Sequence, residues 1–256
     1  VAAALAVLLA ACSSKPIDRT AGWSPNRIHA EAKDELNAGA YDKAIPLYET
    51  LEGRAAGTTL AQQAQLDKAY ALFKDGQKAE AIATLDRFMH LHPASPAINY
   101  ALFLKGVINF NDELGMLSFL ARQDLSERDQ KAAKEAFESF NELVTRFPDS
   151  RYAPDARARM RYTINALAQY EVHVARYYFQ RGAYVAAIGR AQTALSDYEA
   201  VPAHEEALYI LVLSYDALGM AQLRDDARRV LNKNYPNSSF MAQGFKGKSD
   251  PWWKLW

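Results

Sequence analysis

The strongest constraint on the fold of this chain is a seven-residue pattern that recurs along it. Gly-Ala-Tyr-Asp-Lys-Ala-Ile at 39–45 returns as Gly-Ala-Tyr-Val-Ala-Ala-Ile at 182–188, and more loosely as Gly-Gln-Lys-Ala-Glu-Ala-Ile at 76–82. Glycine permits a tight turn between two antiparallel helices, and the alanine five positions later lets the second helix pack close against the first. Self-similarity of this kind is typical of an array of stacked helix pairs.

The segments between these turns have the composition of helices. Ala, Leu, Glu, Lys, Arg and Gln dominate from Asn26 to Asn234, and runs of β-branched residues at strand spacing are missing. Helix ends recur at 92–95, 147–150 and 235–238, where proline is followed by a Ser two positions later. Proline cannot continue a helix, and the Ser or Asp after it can cap the next one. The sequence therefore predicts an all-α chain.

The turns and stops resemble the tetratricopeptide repeat, a helix-turn-helix unit of about 34 residues. Repeat one would span about 25–58 and repeat two about 62–95. Their signature residues are Gly39, Tyr41, Ala44, Tyr48 and Leu51 in the first, and Ala69, Gly76, Ala81, Leu85, Phe88 and Pro93 in the second. The resemblance implies a right-handed α-solenoid of about five such helix pairs.

The later repeats depart from the pattern in three ways. Repeat three has Gly106 in its first helix, but Ala136 of its second helix stands 30 positions later instead of 12, which indicates an insertion. Repeat four has an extra-long helical stretch from Pro154 before its turn. Repeat five is degenerate because Arg224 stands where alanine is expected. We expect repeats one to three at 25–150 with the insertion at about 111–128, repeats four and five at 151–238, and a tail at 239–256.

The beginning of the chain has the features of a lipoprotein signal. Residues 1–11 are apolar and end in Leu-Ala-Ala before Cys12, the single cysteine. The run is shorter than the roughly 18 apolar residues that cross a bilayer, which favours a secretory signal over a membrane span. Its resemblance to a lipobox implies removal of residues 1–11, a covalent lipid on Cys12, and a lipid-anchored linker at 12–24. The alternative is a buried helix with an incidental cysteine.

Charge and motifs argue against nucleic-acid binding and catalysis. Lys plus Arg and Asp plus Glu both number 30, so no global basic field attracts nucleic acid. His90 and His92 are two positions apart and would point to different sides of a helix, and His204-Glu205-Glu206 lacks the second histidine of a zincin motif. Walker, Gly-x-Ser-x-Gly and Ser-x-x-Lys motifs are missing. We expect neither an enzyme nor a metal site, and no cofactor besides the lipid.

A lipobox followed by five such repeats, with an insertion in the third and an extended helix opening the fourth, resembles the BamD family of β-barrel assembly lipoproteins. Asp86-Arg87-Phe88, Tyr170-Glu171 and the segment 181–186 add to the resemblance. It implies a non-catalytic scaffold at the periplasmic face of the outer membrane. N-terminal repeats would receive unfolded barrel precursors, and C-terminal repeats would bind the POTRA region of the barrel subunit BamA and accessory lipoproteins. An alternative is an adaptor lipoprotein that recruits periplasmic peptidoglycan enzymes or proteases.

The repeat frame places candidate binding residues on two surfaces. A client-binding groove would use the first helices of repeats two and three, which also supply inter-repeat core, so both interpretations stay open. Its candidates are Leu66, Tyr70, Phe73, Tyr100 and Phe103. The resemblance implies a POTRA-binding side in repeat four, although each residue there could instead be a solvated helix residue. Its candidates are Arg181, Tyr184 and Arg190.

Two further segments are candidate binding elements, and the first is more apolar than a free loop. Leu114 to Leu120, inside the insertion, would either pack against the repeats or bind a partner. The tail carries three of the four tryptophans, Trp252, Trp253 and Trp256, beside Lys254. Tryptophan and lysine together suit a membrane interface or a docking pocket on a partner, and the alternative is a tail without a binding role.

Overall fold

The computed structural model describes residues 19–110 and 130–247, and the regular elements of that part are all helices. Cys12, the insertion segment and the three tail tryptophans lie outside the described residues. The helices are α1 Pro25–Asn37, α2 Tyr41–Arg54, α3 Thr59–Lys74, α4 Lys78–Leu91, α5 Ile98–Asn109, α6 Gln130–Arg146, α7 Ala153–Gln180, α8 Tyr184–Ser196, α9 His204–Ala217, α10 Ala221–Asn234 and α11 Ser239–Gln243. A 3-10 turn, Gly244–Gly247, follows α11.

The helices form pairs in two compact units, one ending at Pro93 and the other beginning at Ala94. In the N-terminal unit α1 packs on α2, α2 on α3 and α3 on α4. In the C-terminal unit each helix from α5 to α9 packs on the next, and α7 also contacts α9. The described residues thus contain five helix pairs, which confirms the predicted all-α, tetratricopeptide-like fold. Among these residues no helix is both long and apolar enough to span a membrane.

The turn glycines have the conformation that the repeat requires. Gly39, Gly76, Gly182 and Gly219 each end the first helix of a pair with φ between 70° and 84°. In the first pair Gly39 N–H donates to the carbonyl of Leu36, and the next N–H reaches back to Glu35. This closes the helix end, and only glycine adopts such a φ without strain.

The small residues at the start of each second helix are buried as predicted. Ala44, Ala81 and Ala187 are all fully buried, so any larger side chain there would separate the paired helices. In the degenerate fifth pair Arg224 stays near the surface and its guanidinium binds Asp216 and Asp225. Ala227 and Leu231 supply the buried side of that helix instead.

In repeat three, Gly106 of α5 packs directly against the ring of Phe140 in α6. A Cβ at this position would lie 2.4 Å from Cε1 of Phe140, whose ring is fully buried. Gly106 therefore acts here as a packing residue inside α5 and not as a turn residue. Repeat four opens with α7, whose 28 residues exceed the 17 of α6, in agreement with the predicted extended helix.

Gly106→Ala is expected to destabilise the C-terminal unit by about 1–3 kcal/mol, because a packed ring has to move to admit one methyl group. Gly189→Ala is the matched control. Gly189 also lies inside a helix but nothing is within 4 Å of its added Cβ, so alanine should stabilise by about 1 kcal/mol. Urea unfolding of both variants measures the two shifts. Equal shifts would contradict the close approach of α5 and α6.

Candidate functional site

The predicted groove residues of the N-terminal unit lie on α3. Leu66 is only 3% exposed and belongs to the interior, so for this residue the core interpretation is the better one. Tyr70 and Phe73 are half-buried and retain accessible ring surface. The amphipathic stripe of α3 thus serves the core at one position and a surface at two others.

A polar cluster lies beside these residues, where α1, α2 and α3 meet. Nε2 of His29 is 3.6 Å from Oδ2 of Asp67, and the amide of Gln63 donates to Oδ1 of Asp67 at 2.8 Å. The hydroxyl of Tyr48 is buried and has no hydrogen-bond partner among the described residues. Burial raises the pKa of Asp67, while hydrogen bonds from Gln63 and the charge of His29 oppose the rise. The pKa of Tyr48 is also raised, mainly because its hydroxyl is buried and to a smaller extent because of the negative charge of Asp67.

This burial predicts a pH-dependent contribution of Asp67 to stability. A carboxyl whose pKa is raised on folding binds its proton more tightly in the folded state. Its favourable contribution is therefore present at pH below about 4 and is lost as pH rises through the folded-state pKa. Relative to the parent protein, Asp67→Asn should thus be more stable at neutral than at acidic pH. Urea unfolding across this pH range measures the difference, with Asp34→Asn on the exposed side of α1 as the control.

A second polar cluster joins α2, α3 and α4 through Glu52. Its carboxylate accepts a hydrogen bond from the side-chain amide of Gln65 at 2.9 Å and from Arg87 at 2.8 and 3.0 Å. The ammonium of Lys68 lies 3.6 Å from the same carboxylate and 3.4 Å from Glu49, and its side chain is only 10% exposed. One carboxylate therefore neutralises a nearly buried lysine and fixes three helices.

In the C-terminal unit, Tyr100 and Phe103 of the predicted groove pack on Tyr152. The ring of Phe103 stacks on that of Tyr152 with 4.8 Å between centroids, and the Tyr100 ring is 5.7 Å from it. The guanidinium of Arg151 lies 4.7 Å from the centroid of the same Tyr152 ring. Both predicted residues are half-buried, so part of each ring supports the helix packing and part stays accessible.

Arg190, predicted on the POTRA-binding side, has a partner within the chain. Its guanidinium donates to the Glu171 carboxylate at 2.9 Å, and the Glu171 side chain is only 7% exposed. The hydrogen bond and the charge of Glu171 raise the pKa of Arg190. Sequence reasoning missed this pairing because the two residues lie on different helices. Arg190 therefore neutralises the buried carboxylate of Glu171. The exposed part of its side chain is still accessible to a partner.

Arg181 and Tyr184 lie at the turn between α7 and α8. Arg181 is exposed, and its guanidinium lies 4.5 Å from the ring centroid of Tyr177. The half-buried Tyr184 packs its ring on Phe179 at 5.6 Å. Tyr177 and Val185 are exposed at 48% and 72%, so this turn presents an arginine among apolar groups. Such a surface matches the usual composition of a protein-binding surface.

Two of the histidines singled out in the sequence, His92 and His204, contact neighbouring residues of the fold. The ring of His92 packs on Phe88 at 5.3 Å, and Nε2 of His204 contacts the carbonyl oxygen of Tyr198. In the described part of the chain no three His, Cys, Asp or Glu side chains gather as a metal site would require.

Comparisons with known proteins find relatives along nearly the whole chain. The sequence profile of YfiO, an outer membrane lipoprotein family, matches residues 22–231. The outer membrane protein assembly factor BamD of Neisseria meningitidis serogroup B is 46% identical over 98% of this chain and 96% of its own length. BamD of Xylella fastidiosa strain Temecula1 is 35% identical over 87% of this chain and 80% of its own. The crystal structure of MamA protein aligns over 89% of this chain and 96% of its own with 17% identity and a TM-score of 0.35.

Proposed function

Because the chain belongs to the outer membrane lipoprotein family YfiO, whose relatives include the assembly factor BamD, we propose that it is a lipid-anchored, non-catalytic scaffold for assembling outer-membrane β-barrel proteins. The observation that carries this proposal is the 46% identity to an assembly factor across 98% of the chain. The tandem helix pairs support it, because stacked pairs offer extended binding surfaces.

In this proposal the lipid on Cys12 holds the protein at the periplasmic face of the outer membrane. Several acyl chains make such attachment stable, since each buried CH₂ contributes about 0.8 kcal/mol and one chain alone anchors only marginally. The tail residues Trp252, Trp253 and Trp256 would add a docking contact. Cys12→Ser should release the protein from isolated outer membranes into the soluble fraction.

The two predicted surfaces would divide the work of the scaffold. Unfolded barrel precursors would contact the half-buried rings of α3 and α5, because aromatic side chains provide contact area at low entropic cost. The POTRA region of BamA would contact the turn between α7 and α8, where Arg181 can donate two hydrogen bonds to one carboxylate. Accessory lipoproteins of the same machinery would bind the C-terminal repeats. Assembly would then follow from binding alone.

An affinity pull-down from detergent-solubilised outer membranes, with co-purifying proteins identified by mass spectrometry, tests the proposal. Arg181→Glu is the informative variant, since Arg181 is exposed and makes no buried ion pair in the described residues. Arg161→Glu, at an exposed arginine inside α7, is the matched control. We expect a POTRA-bearing barrel protein with the parent chain and the control, and a strong loss with Arg181→Glu. Recovery of peptidoglycan enzymes or proteases instead would overturn the scaffold proposal in favour of an adaptor.

A further inference from the structure

The segment that follows the last helix pair folds back onto the first helices of repeats four and five. The ring of Phe245, in the 3-10 turn, lies 5.7 Å from that of Phe179 and 5.2 Å from that of Tyr209. The guanidinium of Arg176 is 5.9 Å from the same ring centroid. The ring of Phe240, in α11, stacks on Tyr209 at 5.7 Å. The half-buried Phe245 thus lies in a shallow pocket that Arg176 and Phe179 of α7 and Tyr209 of α9 line.

The pocket occupies the same place in the repeat as the predicted client groove. Leu66, Tyr70 and Phe73 stand 10, 6 and 3 positions before the turn glycine of repeat two. The positions 6 and 3 before Gly182 are Arg176 and Phe179, and the position 10 before Gly219 is Tyr209. Arg176 and Phe179 therefore stand at the groove positions of Tyr70 and Phe73. Tyr209 stands at the position of Leu66, which is buried in repeat two, but Tyr209 itself is only half-buried. An aromatic side chain of the chain itself lies where the repeat architecture would place a bound peptide.

The residues that line this pocket are held firmly by the fold, whereas the segment that carries Phe245 is held weakly. Arg176 forms an ion pair with Glu206, which is only 5% exposed, and this pair fixes the guanidinium beneath the Phe245 ring. None of the five residues of α11 is buried, and Met241 is 41% exposed. A short terminal segment with so little buried surface opens at a low free-energy cost compared with the helix pairs.

We propose that the pocket of Arg176, Phe179 and Tyr209 binds an aromatic side chain of an unfolded barrel precursor, and that Phe245 occupies it in the absence of that client. The inference rests on the proposed function and adds a client contact on α7 and α9, apart from the rings of α3 and α5. Phe245 is then an intramolecular competitor that a client displaces. A permanent cap, the other role for a terminal segment of a repeat array, would leave client binding unchanged when it is weakened.

Peptide binding to the full chain tests this inference. The probe is a fluorescent peptide from the last strand of an outer-membrane barrel protein, with its alternating aromatic residues, and the same peptide with those residues changed to serine. Anisotropy titrations would compare the parent chain with Phe245→Ala. Met241→Ala, in the same segment but outside the ring contacts, is the matched control. Phe245→Gln serves as a second variant, and circular dichroism checks that each variant keeps its helices.

We expect Phe245→Ala and Phe245→Gln to bind the aromatic peptide about tenfold more tightly, because an occupied site binds in proportion to its open fraction. Met241→Ala and the serine peptide should show no gain. Adding Tyr209→Ala to Phe245→Ala should abolish the gain. Peptide that binds the parent chain and both Phe245 variants equally would overturn the inference while leaving the proposed function intact. Failure of the peptide to bind any of these chains would count against the proposed function itself.

Discussion

Arg190→Glu is expected to destabilise the C-terminal unit by about 2–4 kcal/mol, because it places a second carboxylate against the buried Glu171. Loss of one partner of a buried pair costs about 3–5 kcal/mol when both are inaccessible. The Arg190 side chain is 46% exposed, so water screens part of this effect, and the reversed charge adds repulsion. Urea unfolding gives the shift in the free energy of unfolding. Hydrogen exchange should show faster opening of α7 and α8.

Arg181→Glu provides the comparison within the same predicted surface. Arg181 is exposed and stacks on Tyr177, so its replacement should cost less than about 1 kcal/mol. A double variant, Arg190→Gln with Glu171→Gln, removes both charges and should recover part of the stability lost by Arg190→Glu. Equal stability of the two single charge reversals would refute the structural role of the Arg190 pair.

This result decides how partner binding by repeat four can be measured. A lost interaction with Arg190→Glu has two sources, a missing contact and an opened repeat. The Gln-Gln double variant separates them, since it removes the guanidinium without leaving an unpaired carboxylate inside the repeat. If that variant still binds the POTRA-bearing protein and Arg181→Glu does not, the contact belongs to the turn between α7 and α8. Arg190 would then be a supporting residue of the repeat.

The sequence predicts the fold well because the repeat is specified by local chemistry. A glycine such as Gly76 must adopt a positive φ for the pair to close, and an alanine such as Ala81 must be small for the helices to touch. Both requirements act on residues that are close together in the chain. The glycine and the alanine therefore recur in the sequence at a fixed spacing from each other. The extended helix α7 also follows from its unbroken helical composition after Pro154.

The candidate sites are less predictable because they depend on how helices cross. Leu66 and Tyr70 lie on one stripe of α3, yet one is buried and the other half-accessible, a difference set by the neighbouring helices. The pairing of Arg190 with Glu171 joins two helices and has no sequence spacing that identifies it. Phe245 could have been suspected only as an aromatic residue in a short, glycine-flanked segment. Which rings it meets is fixed by tertiary packing.

Glu52→Ala is expected to destabilise the N-terminal unit by about 2–4 kcal/mol. The substitution removes the carboxylate that neutralises the nearly buried Lys68 and binds Arg87 and Gln65. Glu49→Ala is the matched control, because Glu49 contacts the same lysine but is 58% exposed and should cost less than about 1 kcal/mol. Hydrogen exchange of α2, α3 and α4 locates the effect in this unit.

A third variant separates the buried charge of Lys68 from the lost packing of Glu52. In Glu52→Ala the Lys68 ammonium keeps only the exposed Glu49 as a partner among the described residues. Adding Lys68→Met removes this ammonium and should recover part of the lost stability. Failure to recover any would mean that the bonds to Arg87 and Gln65 carry the effect. If Glu52→Ala and Glu49→Ala lower the free energy of unfolding equally, the buried position of Glu52 gives it no larger role than the exposed Glu49. In the expected case Arg87 stabilises repeat two through its hydrogen bonds to Glu52. Arg87 is one of the residues by which the chain resembles its family. Substituting it should then weaken client binding only because the N-terminal unit becomes less stable.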